Sequence, residues 1–162
     1  MNYLKTIYYL ISFTIVTSLS TGISASDNFN EVLQLDRAKL ELKRENFIAK
    51  TLMLSTDESK QFWPLYKEYR KAVSNIDTKT IQLLKDYAKS YNNNEVSNEI
   101  ANRLMSEFLQ VDLSRINLKA RYMKKFTKKL PAKLVWRYFH AENNLDTMIR
   151  YAYISQIPLV KQ

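Results

Sequence analysis

The chain has 162 residues, of which 46% are hydrophobic and 25% are charged, and its formal net charge is +9. This length suits one domain, and the positive charge favours anionic partners. The absence of cysteine excludes disulfides, and a single glycine excludes glycine-rich phosphate-binding loops.

The N-terminus has the pattern of a secretory signal peptide. Lys5 lies in a short charged start, residues 6–19 are apolar, and small residues follow as far as Ala25. The apolar stretch is shorter than the roughly 20 residues of a membrane-spanning helix. We therefore expect cleavage after Ala25 and a single periplasmic domain formed by residues 26–162. An uncleaved membrane anchor is the alternative.

The remaining chain is predicted to be entirely helical. It contains no glycine, and glycine-free sequences favour helices over sheets and tight hairpins. Apolar spacing predicts helices over residues 30–54, 55–91 and 97–130, and a fourth from Pro131 that ends before Pro158. Asparagines at 92–94 are expected to end the second helix, because asparagine tolerates the left-handed conformation.

Ser55 begins a capping-box motif. Its hydroxyl is placed to accept from the backbone of Glu58, whose carboxylate reaches back to the backbone of Ser55. Asp57 and Glu58 also suit the positive end of a helix dipole. A general acid/base pair is the alternative interpretation of these two carboxylates.

Two long helices are predicted to pack as an antiparallel hairpin, with the first and fourth helices flanking it. The second helix carries an apolar seam with alternating steps of four and three. Its members are Phe62, Tyr66, Tyr69, Val73, Ile76, Thr80, Leu83 and Tyr87. The third helix carries Ile100, Leu104, Phe108, Val111, Leu118, Tyr122 and Phe126, in a face that we expect Met105, Leu109, Leu113, Ile116 and Met123 to widen.

Positive charge is concentrated in residues 113–141, which hold nine basic residues and no acidic one. Such a block favours binding of acidic or unfolded proteins, or of an anionic membrane surface. Nucleic acid fits the charge but not the compartment. A solvated helix face without a partner is the alternative. The nine candidate binding residues are Arg115, Lys119, Arg121, Lys124, Lys125, Lys128, Lys129, Lys133 and Arg137.

No catalytic site is predicted. His140 is the only histidine, and no serine or cysteine is placed to form a nucleophilic triad with it. His140, Asn144 and Glu142 would form at most a weak metal site, so we expect no cofactor.

The motifs Leu54-Ser55-Thr56-Asp57-Glu58 and Phe62-Trp63-Pro64-Leu65-Tyr66 resemble a family of small exported proteobacterial proteins. So do residues 130–143 and 157–160. The first motif is distantly similar to the L-T-x-x-Q turn of the Spy/CpxP periplasmic stress proteins, with serine and glutamate substituted. This resemblance implies a bent helical hairpin that often dimerises and binds unfolded proteins without ATP, or a sensor kinase domain. Some relatives bind zinc, but this chain lacks their histidine clusters.

We therefore expect a non-enzymatic periplasmic binding protein, chaperone-like or an envelope-stress adaptor, that binds unfolded or acidic partners. The alternative is a structural or interaction subunit that packs on one specific envelope partner or on the membrane surface. A homodimer is compatible with either interpretation.

Overall fold

The computed structural model describes residues 37–155 and 157–160, and every regular element within them is an α-helix. The predicted all-α class is therefore confirmed. The four helices are α1 (Arg37–Leu52), α2 (Thr56–Asn92), α3 (Asn98–Thr127) and α4 (Ala132–Ile154). The predicted signal peptide and the first part of the predicted first helix lie outside the described residues. None of the described helices combines the length and apolar character needed to cross a membrane.

The helix boundaries follow from local chemistry. The Glu58 amide donates to Ser55 Oγ at 3.3 Å and the Ser55 amide donates to Glu58 Oε2 at 2.8 Å, which confirms the capping box. Hydrogen bonding of the Glu58 carboxylate to the backbone and side chain of Ser55 lowers the pKa of Glu58. Ser97 caps α3 in the same way, through the amide of Ile100 at 3.2 Å. Asn94, which follows α2, has the left-handed φ of 55° that was predicted for the asparagine run.

Helices α2 and α3 run in opposite directions along each other. Phe62 packs near Phe126, with ring centroids 5.5 Å apart. Further along α2, Asp77 pairs with Arg115 at 2.9 Å, so the contacts follow reverse order in the two helices. The predicted α2 seam faces this contact. Six of its members are buried and two, Ile76 and Thr80, are half-buried.

The predicted wide face of α3 is wrong. Leu104, Val111, Leu118, Tyr122 and Phe126 form a narrow buried stripe. Outside this stripe, Met123 is half-buried, whereas the other four residues expected to widen the face are exposed. Among the described helices, α2 and α4 make the main contacts with α3 and cover one side of it. The four exposed residues are Met105, Leu109, Leu113 and Ile116.

An aromatic core forms where α4 and α1 close over the hairpin end that contains Phe62. Tyr138 of α4 contacts Phe62 and Phe126, with ring centroids 5.0 and 5.1 Å away. Ile48 and Leu52 of α1 complete this core. The first residues of α4, 132–139, therefore lie directly beside the C-terminal end of α3.

Candidate functional site

The nine predicted binding residues divide into two groups. Three are engaged by neighbouring side chains. Arg115 pairs with Asp77 at 2.9 Å, and the ammonium group of Lys119 donates to the Asn143 amide oxygen at 3.2 Å. Lys125 donates to Glu68 at 2.6 Å, and the hydrogen bonds from Lys125 and Tyr122 lower the pKa of Glu68. The other six are exposed: Arg121, Lys124, Lys128, Lys129, Lys133 and Arg137.

Five of the exposed cations lie close together along the chain, at the end of α3, in the following turn and at the start of α4. We call this group the basic end. None of its members forms an ion pair with an acidic side chain in the part of the chain that the structure describes. The basic end consists of Lys124, Lys128, Lys129, Lys133 and Arg137.

The helix dipoles stabilise only part of the basic end. The negative C-terminal end of α3 stabilises Lys124 and its neighbours. Lys133 instead lies in the first turn of α4, where the dipole is positive and repels a cation. The first turn of α4 contains no acidic residue to offset this repulsion. The charge at the start of α4 therefore has no local stabilising role.

Trp136 adds an apolar group to this surface. Its side chain is 65% exposed, and it lies one turn from Lys133 and next to Arg137 on α4. Its ring lies 6.0 Å from the ring of His140. Aromatic residues, including tryptophan, are enriched in protein interfaces relative to the rest of the surface. The basic end and Trp136 therefore form a surface that offers both positive charge and an exposed aromatic side chain for contact with a partner.

The three residues of the weak metal hypothesis do not come together. His140 and Asn144 are exposed on α4, whereas Glu142 is fully buried on another face of the same helix. Within the residues described here, no group of three histidine or acidic side chains is arranged to hold a metal ion.

A buried ion cluster joins α1, α2 and α4. Glu142 Oε1 accepts from Arg44 at 2.7 Å and from Arg70 at 2.9 Å. Arg44 also donates to Asp146 at 2.9 Å, and Arg70 forms two hydrogen bonds to Glu41. Glu142 has no exposed surface, so its carboxylate cannot reach a substrate. The cluster is a structural connection between three helices.

Burial and charge oppose each other in this cluster. Burial lowers the pKa of Arg70, but the hydrogen bond to Glu41 and the charge of Glu142 outweigh it and raise that pKa. Burial raises the pKa of Glu142, and the charges of Arg44 and Arg70 only partly offset this effect. The ionised carboxylate therefore depends on both guanidinium groups.

Sequence reasoning missed this cluster, although it left a signal. Glu142 lies four residues after Tyr138 and three before Leu145, both of which are buried. Arg70 lies in the same way between Tyr66 and Val73. A charged residue at a core position of two different helices predicts that the two side chains pair.

The structure also contains a cleft that the sequence did not predict. It has a volume of about 740 Å³ and lies between the four helices, with residues 157–160 along one side. Tyr87 fixes those residues, because its hydroxyl donates to the carbonyl of Pro158 at 2.6 Å. Its lining combines charged side chains, among them Arg44, Arg70, Arg115 and Arg150, with apolar side chains such as Leu84, Leu104 and Phe108.

Comparisons of the chain with protein-family models, with curated proteins and with solved structures found no match.

Proposed function

We propose that this chain is a non-enzymatic periplasmic binding protein whose basic end binds acidic segments of unfolded or folded protein partners. The observation that carries the proposal is the group of five exposed, unpaired cations beside Trp136. A chaperone-like or stress-adaptor role agrees with the resemblance to the Spy/CpxP proteins. The assignment to the periplasm rests on the predicted signal peptide.

A surface of this kind acts on acidic partners before contact. Unpaired cations of one sign attract an acidic chain over distances of about 8 Å at physiological ionic strength. This attraction raises the association rate more than the final affinity. Trp136 then supplies apolar contact, since tryptophan and arginine are enriched among the residues that dominate binding energy. Weak, fast and sequence-tolerant binding suits unfolded clients.

A membrane surface is the second candidate partner, and Trp136 favours it. Tryptophan partitions to the headgroup region of bilayers. Basic residues near an anionic surface each contribute roughly 1 kcal/mol to membrane association. The same residues would bind an acidic protein segment or a membrane surface. The two candidates are therefore distinguished by measuring binding to a peptide and to vesicles separately.

The proposal is tested with two charge-reversal variants. The first replaces Lys124, Lys128 and Lys129 with glutamate. Its matched control replaces Lys79, Lys85 and Lys89, which are exposed on α2 outside the basic end. Both change the net charge equally, and both include a lysine in the last turn of a helix.

Fluorescence anisotropy with a labelled, glutamate-rich unfolded peptide measures the binding. Loss of three exposed ion pairs, at roughly 0.5–1 kcal/mol each, predicts an affinity about ten- to a hundredfold weaker for the first variant. The control should lose much less. Equal losses would assign the effect to net charge alone, and no loss would leave the basic end as a solvated helix face. Preferential binding to anionic vesicles, with no peptide binding, would favour the membrane candidate.

A further inference from the structure

Helix α3 carries a second apolar stripe, on the side that α2 and α4 leave uncovered. We call this stripe the outer seam. Its members follow one another in alternating steps of four and three residues, and the first four are exposed whereas the last is half-buried. Leu109 and Ile116 lie five residues after Leu104 and Val111 of the buried stripe, which places the outer seam about 140° around the helix from it. The outer seam consists of Leu109, Leu113, Ile116, Ala120 and Met123.

The shape of the outer seam favours a second helix as its partner. Alternating steps of four and three are the heptad spacing through which one helix packs on another. Asp112 and Lys119 border the seam on one side, and Gln110 and Asn117 border it on the other. The stripe is therefore narrow, whereas a helix that lies on a membrane surface buries a broader apolar face. An extended chain would not require the heptad spacing.

The charges of α3 favour an antiparallel copy of the same helix. Residues 98–112 contain three acidic residues and one basic residue, whereas residues 113–127 contain five basic residues and no acidic one. An antiparallel pair of α3 helices places the acidic half of each copy beside the basic half of the other. A parallel pair would instead place the two basic halves together, and like charges brought together across an interface are costly.

The apolar residues of the outer seam match each other in the antiparallel direction. With the two-fold axis between Leu113 and Ile116, Leu113 faces Ile116 of the second copy. Leu109 then faces Ala120 of the second copy, so that a large side chain meets a small one. The two-fold symmetry repeats each of these contacts. The seam therefore offers four complementary pairs to a second copy of itself.

The charged residues beside the seam fit the same register. Asp112 lies opposite Lys119 of the second copy, once on each side of the two-fold axis. Both residues contact side chains of α4, but both remain partly exposed and can meet a second copy. Near the ends of the contact Arg103 faces Lys124 of the second copy, but Arg103 already pairs with Glu107 of its own helix at 3.1 Å.

We propose that two copies of this chain associate through the outer seams of their α3 helices, packed antiparallel. The contact from Leu109 to Met123 extends over about 21 Å of helix, so it lies at the small end of interface sizes, where association is weak and transient. We therefore expect a monomer in the dilute samples used to measure unfolding and a dimer at higher concentration. Trp136 is not part of the seam, and the proposal does not depend on the proposed function.

Sedimentation equilibrium of the mature chain over a series of concentrations tests the association. Ile116→Ser should weaken dimerisation at least about tenfold, because each dimer loses two apolar side chains from its centre. The matched control is Leu42→Ser on α1, which removes a side chain of similar exposure, 61% against 63% for Ile116, and should leave dimerisation unchanged. A chain that is monomeric at every concentration would overturn the proposal, as would an association that Ile116→Ser does not weaken.

Engineered cysteines test the direction of packing, since the chain contains no cysteine of its own. In a glutathione redox buffer, a mixture of Leu109→Cys and Ala120→Cys chains should form disulfide-linked dimers with one chain of each kind. Leu109→Cys alone should not, because its two cysteines would lie about 16 Å apart along the helix axis, beyond the reach of a disulfide. Disulfide-linked dimers of Leu109→Cys alone would indicate a parallel pair and overturn the proposal.

The cysteine variants keep the proposal testable if Ile116→Ser does not fold, because they alter different positions of the seam. Binding of the wild-type chain and of Ile116→Ser to anionic vesicles and to an unfolded peptide covers the other occupants. In a chain that stays monomeric, loss of either binding in Ile116→Ser would assign the outer seam to that partner and overturn the proposal.

Discussion

Glu142 shows how a single residue can couple three helices. Its carboxylate lies in the interior and accepts hydrogen bonds from α1 and α2 at the same time. Buried ion pairs often add little net stability relative to apolar residues of the same size, but they are costly to break. They also require each helix to hold its register, because a shift would leave a charge unpaired. We infer that the cluster fixes the relative positions of α1, α2 and α4.

Arg44→Met is the most informative substitution in this cluster. It leaves Glu142 with only one guanidinium partner, so we expect the free energy of unfolding at pH 7 to fall by about 3–5 kcal/mol. Because the charge of Arg44 lowers the pKa of Glu142, the substitution raises that pKa further. A raised pKa in the folded state gives stability at low pH that is lost as the pH rises.

The loss should therefore be smaller at pH 5 than at pH 7, as Glu142 approaches protonation above its ordinary value of 4.5. Urea unfolding at the two pH values measures this difference. The control is Arg103→Met, which removes an exposed ion pair on α3 and should cost at most about 1 kcal/mol. Equal effects of the two substitutions would mean that the cluster is not a buried network in solution.

The helices differ in how completely their apolar residues are covered. The buried residues of helix α3 form a narrow stripe in which successive members are one or two helical turns apart. Other leucines of the same helix lie on the surface. Leu118 is 4% exposed, and Leu109 is 58% exposed on the same helix. The two residues have the same chemistry, so the packing of α2 and α4 alone decides their contribution.

A pair of leucine-to-alanine substitutions tests this difference. Leu118→Ala leaves a cavity and should lower the free energy of unfolding by about 2–5 kcal/mol. Leu109→Ala removes exposed surface and should change it by less than about 0.5 kcal/mol. Thermal or urea unfolding compares them directly. A large effect of Leu109→Ala would mean that this side of α3 is covered, either by residues before Arg37 or by a second copy of the chain.

The positions of the helices were predictable from local chemistry. Which helix faces are buried by neighbouring elements was not predictable. The capping box at Ser55 and the α2 seam depend on residues three or four apart, so the sequence contains both. The exposure of Met105 and Leu109 depends on which element packs on α3, which spacing along one helix does not determine. The cleft depends on all four helices and on residues 157–160, which meet only in the folded chain.

For the candidate site, the sequence predicted where the basic residues are concentrated, but it did not predict which of them form ion pairs. The basic block is visible as a run without acids, but Arg115 and Lys125 pair with Asp77 and Glu68 of another helix. Those partners lie 38 and 57 residues away along the chain, beyond any local pattern. Only the fold separates the cations that are engaged from those of the basic end.

At the scale of the whole molecule, the excess of positive charge lies in residues 113–141, and the predicted export determines which partners it meets. Mass spectrometry of the protein from its native host should show a chain that has lost about 25 residues, as expected for a signal peptide of typical length. The same chain recovered at full length from the cytoplasm would contradict the predicted compartment.

The central claim is that the basic end is the surface that contacts an acidic partner. Lysine footprinting tests it most directly, by treating the mature chain with an amine-acetylating reagent with and without a saturating glutamate-rich peptide, and measuring each lysine by mass spectrometry. We predict that the peptide protects Lys124, Lys128, Lys129 and Lys133, and that the equally exposed Lys79, Lys85 and Lys89 remain reactive. Uniform protection of both groups, or protection of the α2 lysines alone, would contradict the account.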